Sequence, residues 1–338
     1  MIINDYLLTK KIGKGTYSEI YLSMKKGYNV LYATKKYERQ LILGTEYFKS
    51  LNNEIKYAQN FNNDDIIKLH NVLKTKNNFY IIYEYCNGGD LSTIVDNYQL
   101  KYGQPFSEEI VQHLMRQVIN GLKYIHDKNL IHGDIKLNSI LVHFDTEKDK
   151  KELNMMKGKI KISHFKFVNK SHYPELNNNV KSQTNDIFNL GLMCYKMIFG
   201  KYGHYSEDYE KLINDIQAGK YYYPIILSKE ILLFMKNMLT KNYNERLKIG
   251  ELSHHVFLTK NFRTLQLHNF MTNNQNEIKI RHLCMFCSTG PPQIIISPCG
   301  HKCVCDICYI NLKRTNNLNN CPVCGMPIIS VVKKVFEV

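Results

Sequence analysis

His132-Gly133-Asp134-Ile135-Lys136-Leu137-Asn138-Ser139-Ile140-Leu141 is the stretch on which the fold turns. An aspartate and a lysine two residues apart sit among apolar residues, just after a long amphipathic segment. That segment, Phe106 to Asp127, predicts a helix. Ser107 can cap it, Glu108 and Glu109 suit its positive end, and Ile110, Leu114, Val118 and Leu122 recur as an apolar stripe. Further on, Asp186 to Phe199 predicts a buried helix. Nearer the start, Lys10 to Met24 alternates β-prone residues around glycines and predicts a hairpin. Val30–Lys36 and Phe79–Tyr85 predict further strands. Strands first and helices after define a two-lobed α+β unit.

The hairpin carries Ile12-Gly13-Lys14-Gly15-Thr16-Tyr17-Ser18-Glu19-Ile20. Glycines there let backbone N–H groups come close to phosphates, although a plain hairpin turn reads the same way. Next comes Tyr32-Ala33-Thr34-Lys35, with a lysine able to reach a nucleotide's phosphates from the following strand. Glu54 lies where a helix can turn it toward Lys35. As isolated residues both are ordinary surface charges. In this order and spacing, loop, lysine, glutamate and the 132–141 stretch resemble a eukaryotic-type protein kinase domain.

The resemblance spans residues 1–260, with an N-lobe over about 1–86 and a C-lobe over about 87–260. It implies a nucleotide site made by Gly13, Gly15, Ile20, Ala33, Lys35, Glu54, Glu84 and Cys86, the last two in the hinge Tyr83-Glu84-Tyr85-Cys86. It also implies Asp134 as the residue that orients the hydroxyl, with Lys136 as the mark of Ser/Thr-directed members. Asp186 corresponds to the buried aspartate that supports the catalytic loop. Tyr173-Pro174-Glu175 resembles a remnant of the A-P-E motif, with Arg246 as the glutamate's partner.

Several positions depart from the family pattern. The metal-binding asparagine aligns with Ser139, Asn138 lying one position early. The D-F-G motif aligns with His164-Phe165-Lys166, and the arginine of H-R-D is Gly133. Magnesium needs hard anionic oxygen ligands, so an imidazole is a poor substitute. Six residues separate Lys166 from Tyr173, too few for a usual activation segment. A pseudokinase is therefore expected, with ATP binding open and its magnesium in doubt.

The other end of the chain reads Cys284-x2-Cys287-x11-Cys299-x1-His301-x3-Cys305-x2-Cys308-x12-Cys321-x2-Cys324. Seven cysteines and one histidine suffice for two tetrahedral zinc sites. The spacing resembles a RING finger of the C3HC4 class. In that family the sites interleave, which implies one zinc on Cys284, Cys287, Cys305 and Cys308. The second would sit on Cys299, His301, Cys321 and Cys324. Both are structural, replacing a core that residues 281–338 can barely build. Cys303 is surplus and fits the spacing less well than Cys305. A polar linker covers 261–280.

RING fingers commonly act as ubiquitin ligases, binding a conjugating enzyme charged with ubiquitin. The resemblance implies Phe286 and Pro322 as conjugating-enzyme contacts; Gly325 stands where the family often has Arg or Lys. Pro298-Cys299-Gly300-His301 and the β-branched tail resemble the inhibitor-of-apoptosis type of RING. That type implies a homodimer through residues 328–338, with Phe336 on the partner's ubiquitin. The alternative is a tail packed on its own RING.

The 338 residues are 44% hydrophobic, which excludes general disorder and leaves room for two or three domains. No apolar run reaches the ~18 residues that span a bilayer. Residues 1–11 lack the features of a secretory signal, so a cytoplasmic location with nuclear access is expected. The net charge of +15 is spread along the chain, and neither specific nucleic-acid binding nor membrane binding is expected. The leading expectation is a RING-type ubiquitin ligase with a kinase-like domain that recruits or regulates a protein target. The alternatives are a Ser/Thr kinase with a regulatory RING, and a non-enzymatic scaffold.

Overall fold

Antiparallel pairing dominates the first third of the chain. In a computed structural model, residues 1–165, 182–200, 227–240, 242–261, 294–297, 302–314, 328 and 330–333 are described. Strands β1 (Ile2–Ile3), β2 (Tyr6–Lys14), β3 (Ser18–Lys25), β4 (Leu31–Glu38), β5 (Leu69–Lys74) and β6 (Asn78–Glu84) form one sheet in the order β1-β2-β3-β4-β6-β5. Strand β6 lies between two neighbours, and its Tyr80-Ile81-Ile82-Tyr83 run is buried throughout, as a central strand requires. Tyr80 and Ile82 pack with Ile3, Tyr6, Leu8 and Tyr32.

Helix α1 (Arg39–Ile42) leads into α2 (Glu46–Ala58), capped by the Thr45 hydroxyl, which accepts from the Phe48 N–H at 3.2 Å. Its buried residues, Leu51, Glu54 and Ala58, fall at helical spacing. A carboxylate thus sits on the inward face.

The second lobe is built from α3 (Leu91–Tyr102), α4 (Glu108–Asp127), α5 (Glu147–Glu152), α6 (Gln183–Phe199), α7 (Lys229–Leu239), α8 (Ile249–Leu252) and α9 (Val256–Thr259). A small sheet joins β7 (Gly89–Asp90), β8 (Ile140–His143) and β9 (Lys159–Ile162). Ser107 caps α4 as expected, accepting from the Ile110 N–H at 3.3 Å. The buried face of α4 keeps Leu114, Val118 and Leu122 and is wider than the expected stripe. Val111, Leu114, Met115, Val118, Ile119, Leu122 and Ile125 are buried, and Ile110 is only half-buried. Gly121 marks the closest approach of α4 to β9: a Cβ there would stand 2.9 Å from Ile162 Cδ1 and 3.1 Å from the Asp65 carbonyl oxygen.

Asp186, in the first turn of α6, has no exposed surface. Its carboxylate accepts from the His132 N–H, the Gly133 N–H and His126 Nε2, each at 2.9 Å. Gly133 has φ +80°, a conformation easy for glycine. The loop that follows α4 is therefore drawn onto α6. Arg246 is also buried, with its guanidinium 4.6 Å from the Phe188 ring and Nε donating to the Thr240 carbonyl at 2.8 Å. Its expected partner Glu175, with Lys166, Tyr173 and Pro174, lies outside the described residues.

The chain divides into two compact units, Met1–Ile198 with Glu230–Thr259, and Phe199–Lys229 with Lys260–Val338. The second contains a three-stranded sheet of β11 (Lys302–Val304), β10 (Ile294–Ser297) and β12 (Ser330–Lys333), in that order, with α10 (Asp306–Arg314) after β11. Strand β12 belongs to the tail segment expected to dimerise. Here it pairs with β10 of its own chain, Ser297 opposite Ser330 and Ile294 opposite Lys333.

Asp186→Ala strands two backbone N–H groups and the His126 ring in a dry site, at a cost of about 3–5 kcal/mol. Thermal unfolding of the larger unit should fall by roughly 10 °C, at about 2–4 °C per kcal/mol. An unchanged midpoint in scanning calorimetry would mean that the loop is held by other contacts.

Candidate functional site

Between the first sheet and the second lobe lies a cleft of ≈ 540 Å³. Gly13, Ile20, Ala33, Lys35, Glu54, Glu84 and Cys86 all line it. Gly15 does not; its N–H donates to the Ser18 carbonyl at 2.7 Å, closing the turn between β2 and β3. Asp134 and Lys136 also fall outside the lining. Ile12, Ile67 and Leu141 complete the apolar walls and were missed in the sequence. Leu141 was within reach, as the last residue of the 132–141 stretch. Ile12 opens the glycine-rich stretch and was within reach too, whereas Ile67 carries no local signal of a ligand.

The β4–β6 register sets Ala33 opposite Tyr83 and Lys35 opposite Ile81. Lys35 Nζ is 3.9 Å from Glu54 Oε1 and 5.2 Å from the centre of the Tyr83 ring. The Tyr83 hydroxyl donates to the same Glu54 oxygen at 2.8 Å. Burial, and the Glu54 charge after it, push the Tyr83 phenol well above its ordinary pKa, so it remains a donor. The buried carboxylate is thus held mainly by a neutral phenol, and the lysine stands over that phenol's ring. Tyr17, at the tip of the glycine-rich turn, lies 4.7 Å from the Tyr47 ring of α2. Tyr47 is in turn 6.2 Å from Tyr37 of β4. At the hinge, the Glu84 carboxylate accepts from the Lys68 N–H at 2.8 Å and pairs with Lys161 at 3.1 Å. Burial pushes the Cys86 thiol up to about 12, which leaves it an unreactive apolar wall.

Asp134 pairs with Lys136 Nζ at 3.0 Å. Its N–H donates to His132 Nδ1 at 3.2 Å, and His132 Nε2 donates to the Ser163 carbonyl at 3.0 Å. Burial lowers the pKa of His132, in keeping with a neutral ring that accepts at one nitrogen and donates at the other. Asn138 reaches sideways, its amide 3.4 Å from Asp90 Oδ1.

The two positions aligned with metal ligands are knitted together. Ser139, fully buried, donates its hydroxyl to the Lys136 carbonyl at 2.8 Å and accepts from the Lys136 N–H at 3.0 Å. Its carbonyl accepts the Ser163 N–H at 2.8 Å and the Ser163 hydroxyl at 2.9 Å. Ser163 Oγ is also 2.7 Å from His164 Nδ1. The arrangement that satisfies both hydroxyl contacts has Nδ1–H donating to Oγ. His164 has φ +59°, a left-handed conformation that histidine tolerates better than most residues. Phe165 is buried against Phe61 and His132, with ring centres 5.5 and 5.1 Å away. These residues do not fit magnesium. The Ser139 hydroxyl is spent on backbone, and an imidazole carries no negative charge in either protonation state.

In the second unit, Cys305 and Cys308 are the described members of the expected zinc-ligand set. Cys284, Cys287, Cys299, His301, Cys321 and Cys324, together with Phe286, Pro322 and Phe336, lie outside the described residues. Cys305 immediately precedes α10, and its carbonyl accepts from the Tyr309 N–H at 2.9 Å. The Cys308 N–H donates to Cys305 Sγ at 3.5 Å. A helix N-terminus and an N–H···S bond both favour the thiolate that zinc requires, so this turn fits a zinc ligand pair.

The family model of the protein kinase domain matches residues 6–258. The chain therefore belongs to the protein kinase family. It also carries a RING finger: the model of the C3HC4-type zinc finger matches residues 280–331. A kinase domain implies ATP binding and a RING finger implies zinc. Among curated relatives, serine/threonine-protein kinase PLK4 of Xenopus tropicalis is 23% identical over 272 residues, 75% of this chain and 27% of that one. RAC-beta serine/threonine-protein kinase A of Xenopus laevis is 25% identical over 77% of this chain and 55% of that one. Aurora/IPL1-related protein kinase 2 of Caenorhabditis briggsae is 25% identical over 76% of this chain and 84% of that one. The matched region spans only a quarter to a third of the length of the PLK4 relatives.

Tyr83→Phe removes the phenol donor from a buried carboxylate, at a cost of about 1–3 kcal/mol. The unfolding midpoint should fall by about 2–4 °C per kcal/mol. Unchanged thermal stability would show that Lys35 alone satisfies Glu54.

Proposed function

We propose that this protein is a RING-type ubiquitin ligase whose kinase-like domain recruits or regulates a protein target without efficient phosphoryl transfer. The observation that carries the reading is the hydrogen-bonded run His164–Ser163–Ser139. It occupies both positions from which a kinase holds magnesium. The C-terminal module, by contrast, keeps every ligand of its C3HC4 pattern, and the Cys305–Cys308 turn suits a thiolate pair. In this reading eight residues hold two structural zincs: Cys284, Cys287, Cys305 and Cys308, then Cys299, His301, Cys321 and Cys324.

Phe286 and Pro322 would contact the conjugating enzyme, which transfers ubiquitin directly to the target. Gly325 weakens the hold on ubiquitin at the position after the last ligand. The homodimer through residues 328–338, with Phe336 on the partner's ubiquitin, belongs to the same proposal. The β10–β12 pairing favours a tail whose first residues serve their own sheet.

A second reading, an active Ser/Thr kinase, draws on the Asp134–Lys136 pair at 3.0 Å and on Lys35 beside Glu54. The kinases among its relatives support it too.

Intact-mass analysis of one reaction separates these readings. It contains the full zinc-loaded chain, ubiquitin-activating and conjugating enzymes, ubiquitin, ATP, magnesium and a generic kinase substrate. Ubiquitin adducts without phosphate adducts, lost in His301→Ala, are expected. Phosphate adducts that vanish in Asp134→Asn would establish the kinase instead. Neither adduct, on a chain with its full zinc content, would leave a binding scaffold.

A further inference from the structure

We propose that the cleft takes a nucleoside triphosphate without a divalent cation, its phosphates neutralised by the protein's own cations. The inference rests on the reading that magnesium-dependent transfer is lost, and it goes further: the nucleotide itself remains a ligand.

The base end of the cleft is intact. Ile12, Ile20, Ala33 and Leu141 supply apolar walls, and the small Ala33 side chain leaves room between them. The volume of ≈ 540 Å³ falls in the range of small-molecule sites. At the other end, each carboxylate already has a partner from the protein. Glu54 accepts from Tyr83 and stands beside Lys35. Asp134 is neutralised by Lys136. Asp90 accepts from the Thr93 N–H and hydroxyl at 3.0 and 2.9 Å, capping α3. A divalent ion would have to displace these partners, and it would find an imidazole and a backbone-bonded hydroxyl where oxygen ligands belong.

The cations point the other way. Lys14 and Lys35 both line the cleft. Lys35 is not locked in a tight ion pair: at 3.9 Å from Glu54, with the phenol taking up the carboxylate, its ammonium is available to a stronger anion. His164, which lines the same end, replaces a negative side chain with one that is neutral or positive. Exchanging aspartate for histidine removes the repulsion that a bare triphosphate would meet, which in a kinase the metal overcomes.

Titration calorimetry with ATP tests this on the full, zinc-loaded chain. The buffer is freed of divalent ions by a chelating resin, because a soluble chelator would strip the structural zinc and unfold the RING. The titration is then repeated with millimolar magnesium. ATP should bind in both buffers with affinities within about threefold of each other. Lys35→Met should abolish the heat in both, which places the ligand in this cleft. His164→Asp should weaken binding in the metal-free buffer and make it at least about tenfold tighter with magnesium.

Affinity in the parent chain that rises by about tenfold or more with magnesium would overturn the proposal. So would unchanged binding in Lys35→Met, or no binding in either buffer. The comparison within the parent chain decides the matter even if a variant fails to fold. Magnesium-dependent binding without phosphate transfer would sink this inference and leave the ligase reading standing. Phosphate transfer would sink the ligase reading's assignment of the kinase domain.

Discussion

A carboxylate with no exposed surface is costly to bury unless donors surround it. Asp186 meets that condition with the N–H groups of His132 and Gly133 and with the His126 ring. The consequence reaches well beyond the aspartate. Two consecutive backbone donors can converge on one carboxylate only if the chain between α4 and β8 takes a single path. That path sets Asp134 beside Lys136 and turns Ser139 inward, toward Ser163. The loop that carries Asp134 therefore keeps its shape through contacts of the fold alone. The aspartate on α6 secures that shape without taking part in the Ser139–Ser163–His164 contacts.

Much of this was legible in the sequence, because the signals were local. Ser107 capping α4, the inward Glu54 and the glycine-rich turn each follow from residues within a few positions of one another. Seven of the eight expected nucleotide residues line the cleft, Gly15 being the exception because its N–H closes the turn. What was hidden depends on contacts between distant segments. Ile67 reaches the cleft because β9 pairs with the chain near Ile66, which no local pattern announces. Tyr83 reads as part of an apolar strand; its bond to Glu54 needs the β4–β6 register and the α2 packing together. Of the expected α4 stripe, Leu114, Val118 and Leu122 are buried, and Ile110 lies half-buried at the edge of the packed face.

The two units also hold together by different means. The larger one has an extensive apolar core, with α4 and α6 buried along most of their length. The smaller shows a short sheet and one helix among its described residues, with Ile294 and Val304 buried. A RING finger implies zinc, whose ligation adds to what these apolar contacts supply.

The tyrosine contacts from Tyr17 through Tyr47 to Tyr37 bear on how the cleft meets a ligand. Glycine-rich turns are costly to immobilise, because glycine surrenders more conformational freedom than any other residue. Here the tip of the turn is stacked on α2, and α2 is tied to β4. The entropy of ordering that turn is lost when the domain folds, not when a ligand arrives. The ring contacts thus supply in advance part of the ordering that a free turn would undergo on binding.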